Sequence, residues 1–128
     1  MHAVSPPGQA FALDLSGLRS PGITVWSAWD SGIVLGVGAL KELGDRRGEI
    51  KSMRTHPDHL RKGVGTAILD HLIAEARLRG LTCLSLETGT GPIFEPALAM
   101  YRSRGFRSGA AFADYDASAF NQFMHLSL

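Results

Sequence analysis

Cysteine is almost absent from this chain. Cys83 is the sole one in 128 residues, so no intrachain disulfide can form and a disulfide-built secreted scaffold is excluded. Charge of one sign is lacking too. Thirteen Lys and Arg stand against twelve Asp and Glu, without the basic excess that marks a nucleic-acid binder. No apolar run approaches the roughly 20 residues of a membrane-spanning helix. Met1-His2-Ala3-Val4 lacks the pattern of a secretory signal. His56 and His59 are three apart, but no third ligand falls at a metal-binding spacing, so no metal is expected. What remains is an apolar share of 45%, enough for one ordinary core. A single domain over residues 1–128 is expected, in a reducing cytoplasm, with no nucleic-acid or membrane partner. Cys83 falls in a strand-like run and reads as a small buried residue.

The order of elements is legible from turns and periodicity. Residues 10–18 allow a short helix, with Phe11, Leu15 and Leu18 on one side. Residues 23–29 and 33–43 read as two strands joined at Asp30-Ser31-Gly32, a hairpin turn. Gly36 and Gly38 inside the second strand predict a bulge or a close backbone approach. Residues 49–55 form a third strand. Val64, Ile68, Leu69, Leu72, Ile73 and Ala76 recur at helical spacing, predicting a helix over residues 65–79 capped by Gly80. A strand over 81–88, a short helix over 96–104 and a closing strand over 120–128 follow. In the last, Phe120, Met124, Leu126 and Leu128 share one side. Hairpin, strand, helix, strand, helix, strand is an α/β mixed sheet.

Chemistry concentrates in Thr55-His56-Pro57-Asp58-His59-Leu60-Arg61-Lys62-Gly63-Val64-Gly65-Thr66, between a strand and the best helix. Two glycines one residue apart let backbone approach a ligand closely. The helix that follows aims unpaired N–H groups at the same spot, and Arg61 and Lys62 add full charge; together these can hold a pyrophosphate. A phosphate loop of the G-x-x-x-x-G-K-[ST] kind is absent, and so is the third glycine of a dinucleotide fingerprint. The stretch resembles instead the acyl-CoA-binding loop, [QR]-x-x-G-x-[GA], of the GNAT superfamily of N-acetyltransferases. One position departs: Leu60 stands where the family has Gln or Arg, and the arginine falls one place later at Arg61.

A second motif lies downstream. Ala97-Leu98-Ala99-Met100-Tyr101-Arg102-Ser103-Arg104-Gly105-Phe106 is similar to the family's A-x-x-x-Y-x-x-x-G-F helix, although Phe94 replaces an asparagine common seven residues before the tyrosine. The resemblance spans roughly residues 23–128. It implies a GNAT-like sheet, mixed, mostly antiparallel and twisted, flanked by helices and lacking the usual first strand and helix. It also implies acetyl-CoA as cosubstrate. Gly63, Val64, Gly65 and Thr66, with Arg61 and Lys62, would hold the pyrophosphate. The edge of Met53-Arg54-Thr55 would pair with the pantetheine arm as an added strand. Tyr101 would be the general acid, its phenol protonated at neutral pH. Glu49, on the strand before the loop, and Glu87, at the end of the next strand, are both candidates for the general base.

The expected activity is acetyl transfer from acetyl-CoA to a primary amine of a small molecule, directly within a ternary complex. The competing reading is a non-catalytic acyl-CoA-binding sensor or scaffold that has lost its acceptor wall. A shortened N-terminus favours that competitor. It would also leave residues 23–29 as a bare sheet edge carrying Val25, Trp26 and Trp29, which predicts a homodimer covering it.

Overall fold

The structure, a computed structural model, describes residues 22–56 and 63–128 and the backbone of Ala3–Ser5. The expected helix over residues 10–18 lies outside the described residues, as do Arg61 and Lys62. Ten elements follow in order: β1 (Ala3–Ser5), β2 (Ile23–Asp30), β3 (Ile33–Gly44), β4 (Arg47–Thr55), α1 (Val64–Leu78), β5 (Cys83–Gly89), a 3₁₀ turn (Pro92–Phe94), α2 (Glu95–Ser103), β6 (Arg107–Gly109) and β7 (Asn121–Ser127). The strands form one sheet in the order β1-β2-β3-β4-β5-β7-β6. Every pair is antiparallel except β4 with β5. This is the mixed, mostly antiparallel sheet with helices that the sequence predicts.

Turn chemistry explains the front of the sheet. Ser31 and Gly32 both take positive φ, 50° and 80°, the primed hairpin turn whose twist matches its strands. Helix α1 buries the predicted stripe, Val64, Ile68, Leu69, Leu72, Ile73 and Ala76. Its end is a Schellman cap. Gly80 N–H donates to Arg77 O and Leu81 N–H to Ala76 O, both at 3.0 Å. The two strand glycines mark where this helix lies closest. A Cβ on Gly38 would sit 2.6 Å from Ile68 Cγ2, and one on Gly36 2.9 Å from Ile68 Cδ1. The core joins the α1 side of the sheet to Leu98, Tyr101 and Phe106 from the second half of the chain.

Two local features shape the fork in the sheet. Pairing between β4 and β5 is confined to Arg47–Glu49 against Cys83–Ser85. Beyond Glu49 and Ser85 the strands part. Along the other edge of β4, register shifts between Val37 and Ala39, which face Arg54 and Lys51. One extra residue therefore sits on β4. Ser52, at φ 56°, supplies the bend of a β-bulge. The bulge resets the alternation, so Ile50 and Met53 both pack on the α1 side. Glu49 lies on the opposite face, level with Lys41 on β3.

The structure corrects three expectations. A first strand exists: Ala3, Val4 and Ser5 pair with Trp29, Ala28 and Ser27. Val25 and Trp26 are buried. The bare aromatic edge that predicted a homodimer is therefore not present in that form. Phe120 is 84% exposed and precedes β7, so it does not share the buried side of Met124 and Leu126. Cys83 is half-buried rather than buried.

Candidate active site

The loop expected to bind phosphate opens α1 with bare amides. Gly63 is the N-cap residue, held at φ 80°, and no side chain caps the helix. The first helical bond runs from Ala67 N–H to Gly63 O at 3.0 Å. The N–H groups of Val64, Gly65 and Thr66 precede it and have no intrahelical partner to donate to. Gly63 is required by its backbone, since a Cβ there would meet nothing within 4 Å. Gly65 is required by space. Its Cβ would stand 3.3 Å from Met100 Sδ and 3.5 Å from Thr55 Oγ1.

These residues border a cavity of about 490 Å³. Met53, Arg54 and Thr55 form one wall, Gly63, Val64, Gly65 and Thr66 the helix end, and Ile93, Pro96, Ala97, Met100 and Tyr101 the wall opposite. Seven of the nine expected cofactor-binding residues thus share one concavity; the other two, Arg61 and Lys62, are outside the described residues. The second half of the wall was only partly foreseen. Ala97 and Met100 lie four and one residues before Tyr101, and helical spacing from the tyrosine locates Ala97. Ile93 precedes the helix and carries no such signal.

Tyr101 is 7% exposed. Its ring packs edge-on against Phe106, with centroids 5.8 Å apart. Burial raises its pKa above the ordinary phenol value, which keeps the hydroxyl protonated at neutral pH. The cavity thus brings together the uncapped amides of α1, the stretch of β4 beyond its pairing with β5, and Tyr101.

The two candidate carboxylates are not part of the cavity wall. Glu87 is exposed, and its Oε2 accepts from Asn121 Nδ2 at 2.9 Å. Glu49 is 2% exposed and lies inside β4 rather than at its start. Its Oε2 accepts a 2.5 Å hydrogen bond from Tyr115 Oη. Tyr115 comes from the long connection between β6 and β7. Burial first, then its hydrogen bond to Glu49 and the charges of Glu49 and Glu87, push its pKa far above the ordinary phenol range. Phe112 and Phe123 hold the ring in place, with centroids 5.2 and 6.0 Å from it. Next to Glu49 across the parallel pair, Ser85 Oγ lies 2.7 Å from His125 Nδ1. His125 Nε2 lies 2.8 Å from Ala110 O. A carbonyl can only accept, so Nε2 carries a proton, and in the neutral ring Nδ1 accepts from Ser85. Among the described residues no group of three or more His, Cys, Asp and Glu is placed to hold a metal. No described helix is long and apolar enough to cross a membrane.

Comparison with known proteins adds an independent line. The Acetyltransferase (GNAT) family profile matches residues 4–106. The chain is 52% identical over 124 residues to the uncharacterized N-acetyltransferase YsnE of Bacillus subtilis (strain 168), covering 97% of this chain and 82% of that one. It is 45% identical to the uncharacterized N-acetyltransferase YedL of Escherichia coli (strain K12), covering 97% and 78%. A Bacillus subtilis acetyltransferase solved in complex with CoA shares the fold at a TM-score of 0.81 and 17% identity, over 100% of this chain and 99% of that one. With its motifs, its fold and its relatives in agreement, the chain belongs to the GNAT acetyltransferase family and is an enzyme of the acetyl-CoA-dependent N-acetyltransferase class.

Proposed function

We propose that the protein moves the acetyl group of acetyl-CoA to a primary amine of a small molecule, in one ternary complex and without an acetyl-enzyme. The carrying observation is the shared cavity, which both the uncapped start of α1 and Tyr101 line. In this reading the amides of Val64, Gly65 and Thr66 bind the pyrophosphate, aided by Arg61 and Lys62. The free edge at Met53, Arg54 and Thr55 pairs with the pantetheine amides. The acceptor nitrogen attacks the thioester carbonyl, the tetrahedral intermediate collapses as the C–S bond breaks, the departing thiolate takes the Tyr101 proton, and the surplus N–H proton of the acceptor nitrogen, passed through water, restores the phenol.

An amine is an ammonium at neutral pH and must lose a proton before it attacks. Glu49 is the carboxylate assigned to that task. It occupies the last paired position before β4 and β5 separate, and Glu87 is exposed and engaged by Asn121. A small acceptor suits a cytoplasmic enzyme that draws on metabolic acetyl-CoA. A turnover screen over amines, amino acids and aminoglycosides tests the reading. Thiol release with at least one small amine is expected. Binding of acetyl-CoA without turnover on any amine would leave a thioester-binding module instead.

A further inference from the structure

Glu49 has no direct route to an acceptor in this structure. It is 2% exposed, and the hydroxyl of Tyr115 occupies its Oε2 at 2.5 Å. Tyr115 itself is half-buried. Of the bonded pair, Tyr115 is therefore the partner with surface open to solvent. The contact joins residues 66 positions apart, and the loop that delivers it is anchored. Phe112 is buried against Tyr115, Phe123 and His125. His125 fixes the loop again through Ala110 O, and Asn121 Nδ2 donates to Asp116 O. A loop tied at three points on either side of one tyrosine holds that tyrosine for a purpose beyond packing.

We propose that Tyr115 is the proton carrier between the acceptor ammonium and Glu49. The inference rests on the amine-acetylation reading. The ammonium N–H bond breaks as its proton joins the phenol oxygen, while the phenol's own proton passes to Glu49 Oε2. The amine is left neutral, Tyr115 is neutral before and after, and Glu49 ends as the carboxylic acid. Water takes that proton once the amide leaves. A phenol can serve this way because it donates and accepts at one oxygen. It need never ionise, which agrees with the resistance of this phenol to deprotonation. The described charged and titratable groups around the pair are Lys41 opposite Glu49 on β3, Lys51 two residues along β4, His125 on β7 through Ser85, Glu87 on β5, and Asp114 and Asp116 beside Tyr115.

The test compares wild type, Tyr115→Phe, Glu49→Gln and the double variant on a primary amine that the wild type turns over. Proton transfer of this kind is worth roughly 10²- to 10⁴-fold, so Tyr115→Phe should lose about 10²-fold in turnover at neutral pH. CoA affinity should not change. The double variant should be no worse than Glu49→Gln, since the two act as one unit. The deficit should shrink as pH rises toward the pKa of the amine, where free base no longer needs a carrier. A merely structural tyrosine would show a deficit that pH does not move. Thermal melting reports whether the Phe ring keeps its place. A second measurement follows phenolate absorbance in alkali. Glu49→Gln should lower the titration of Tyr115, because a neutral partner no longer disfavours the phenolate. Undiminished turnover in Tyr115→Phe overturns the carrier while leaving amine acetylation standing. So do losses that multiply in the double variant, or a Tyr115 titration that ignores Glu49→Gln. A wild type that acetylates no amine overturns both.

Discussion

At the scale of single residues, the proposed chemistry gives two tyrosines different tasks. Tyr101 stands in the cavity wall with its phenol held protonated by burial. Tyr101→Phe removes the donor and leaves the ring packed on Phe106. Turnover should fall by about 10²- to 10⁴-fold with CoA affinity intact by calorimetry; wild-type turnover in the variant would reduce Tyr101 to packing. Both phenols also have a consequence for stability. Their pKa values are raised in the folded protein, so that folded phenols keep protons that unfolded ones release above about pH 10. The unfolded chain then binds fewer protons, and stability falls as pH rises through this window. Below it the contribution is fully present. Tyr115→Phe should remove one proton from the number released on unfolding, measured by urea unfolding across the alkaline range. Parallel pH dependence in wild type and variant would contradict the raised titration of Tyr115.

At the scale of elements, the sequence is informative where the physics is local and silent where it is not. Helix α1 was legible because six apolar residues at helical spacing, an αL glycine before it and a Schellman glycine after it all agree. Tyr101 was legible through its motif, and Gly36 and Gly38 through their rarity in a strand. The bulge is half legible: Gly36 and Gly38 point to one, and the register shifts between Val37 and Ala39, but the extra residue sits across the pair on β4, at Ser52. A serine at positive φ carries no composition signal, and pairing with β3 alone forces it. The partnership of Tyr115 with Glu49 was hidden for a similar reason. It crosses 66 residues and comes from a segment without periodicity. Strand β1 carries no signal because three residues are too few to show alternation. The two glycines that open α1 make separable predictions. Gly63→Ala forces a Cβ into αL, costing about 1 kcal/mol in a urea titration, with no steric clash against the described residues. Gly65→Val leaves backbone strain low but places methyl groups where Met100 and the ligand lie. It should abolish CoA binding by calorimetry, and undiminished affinity would sink the cofactor assignment.

At the scale of the whole molecule, the distance between α1 and the sheet controls the cavity. Gly38 sets it, with Ile68, Met53 and Leu72 all within 3.1 Å of where its Cβ would be. Gly38→Ala should cost about 1–3 kcal/mol by overpacking, seen as a lower urea midpoint at unchanged m, and should raise KM for acetyl-CoA as the helix is pushed away. An unchanged midpoint would mean the helix shifts freely. The parting of β4 from β5 has a different kind of consequence. The cavity opens on the α1 side of the sheet, and Glu49 with Tyr115 lies on the opposite side. Cosubstrate and acceptor would then approach from opposite faces and meet in the gap, so neither need wait for the other to leave. A tethered inhibitor must therefore thread the sheet. If the sulfur of CoA is joined to an amine nitrogen by a short acyl link, each end should raise the local concentration of the other. Such a conjugate should bind well beyond CoA or the amine alone. Lengthening the amine end, on the Tyr115 side, should cost little affinity, while bulk placed at the link should abolish it, because only the gap is narrow.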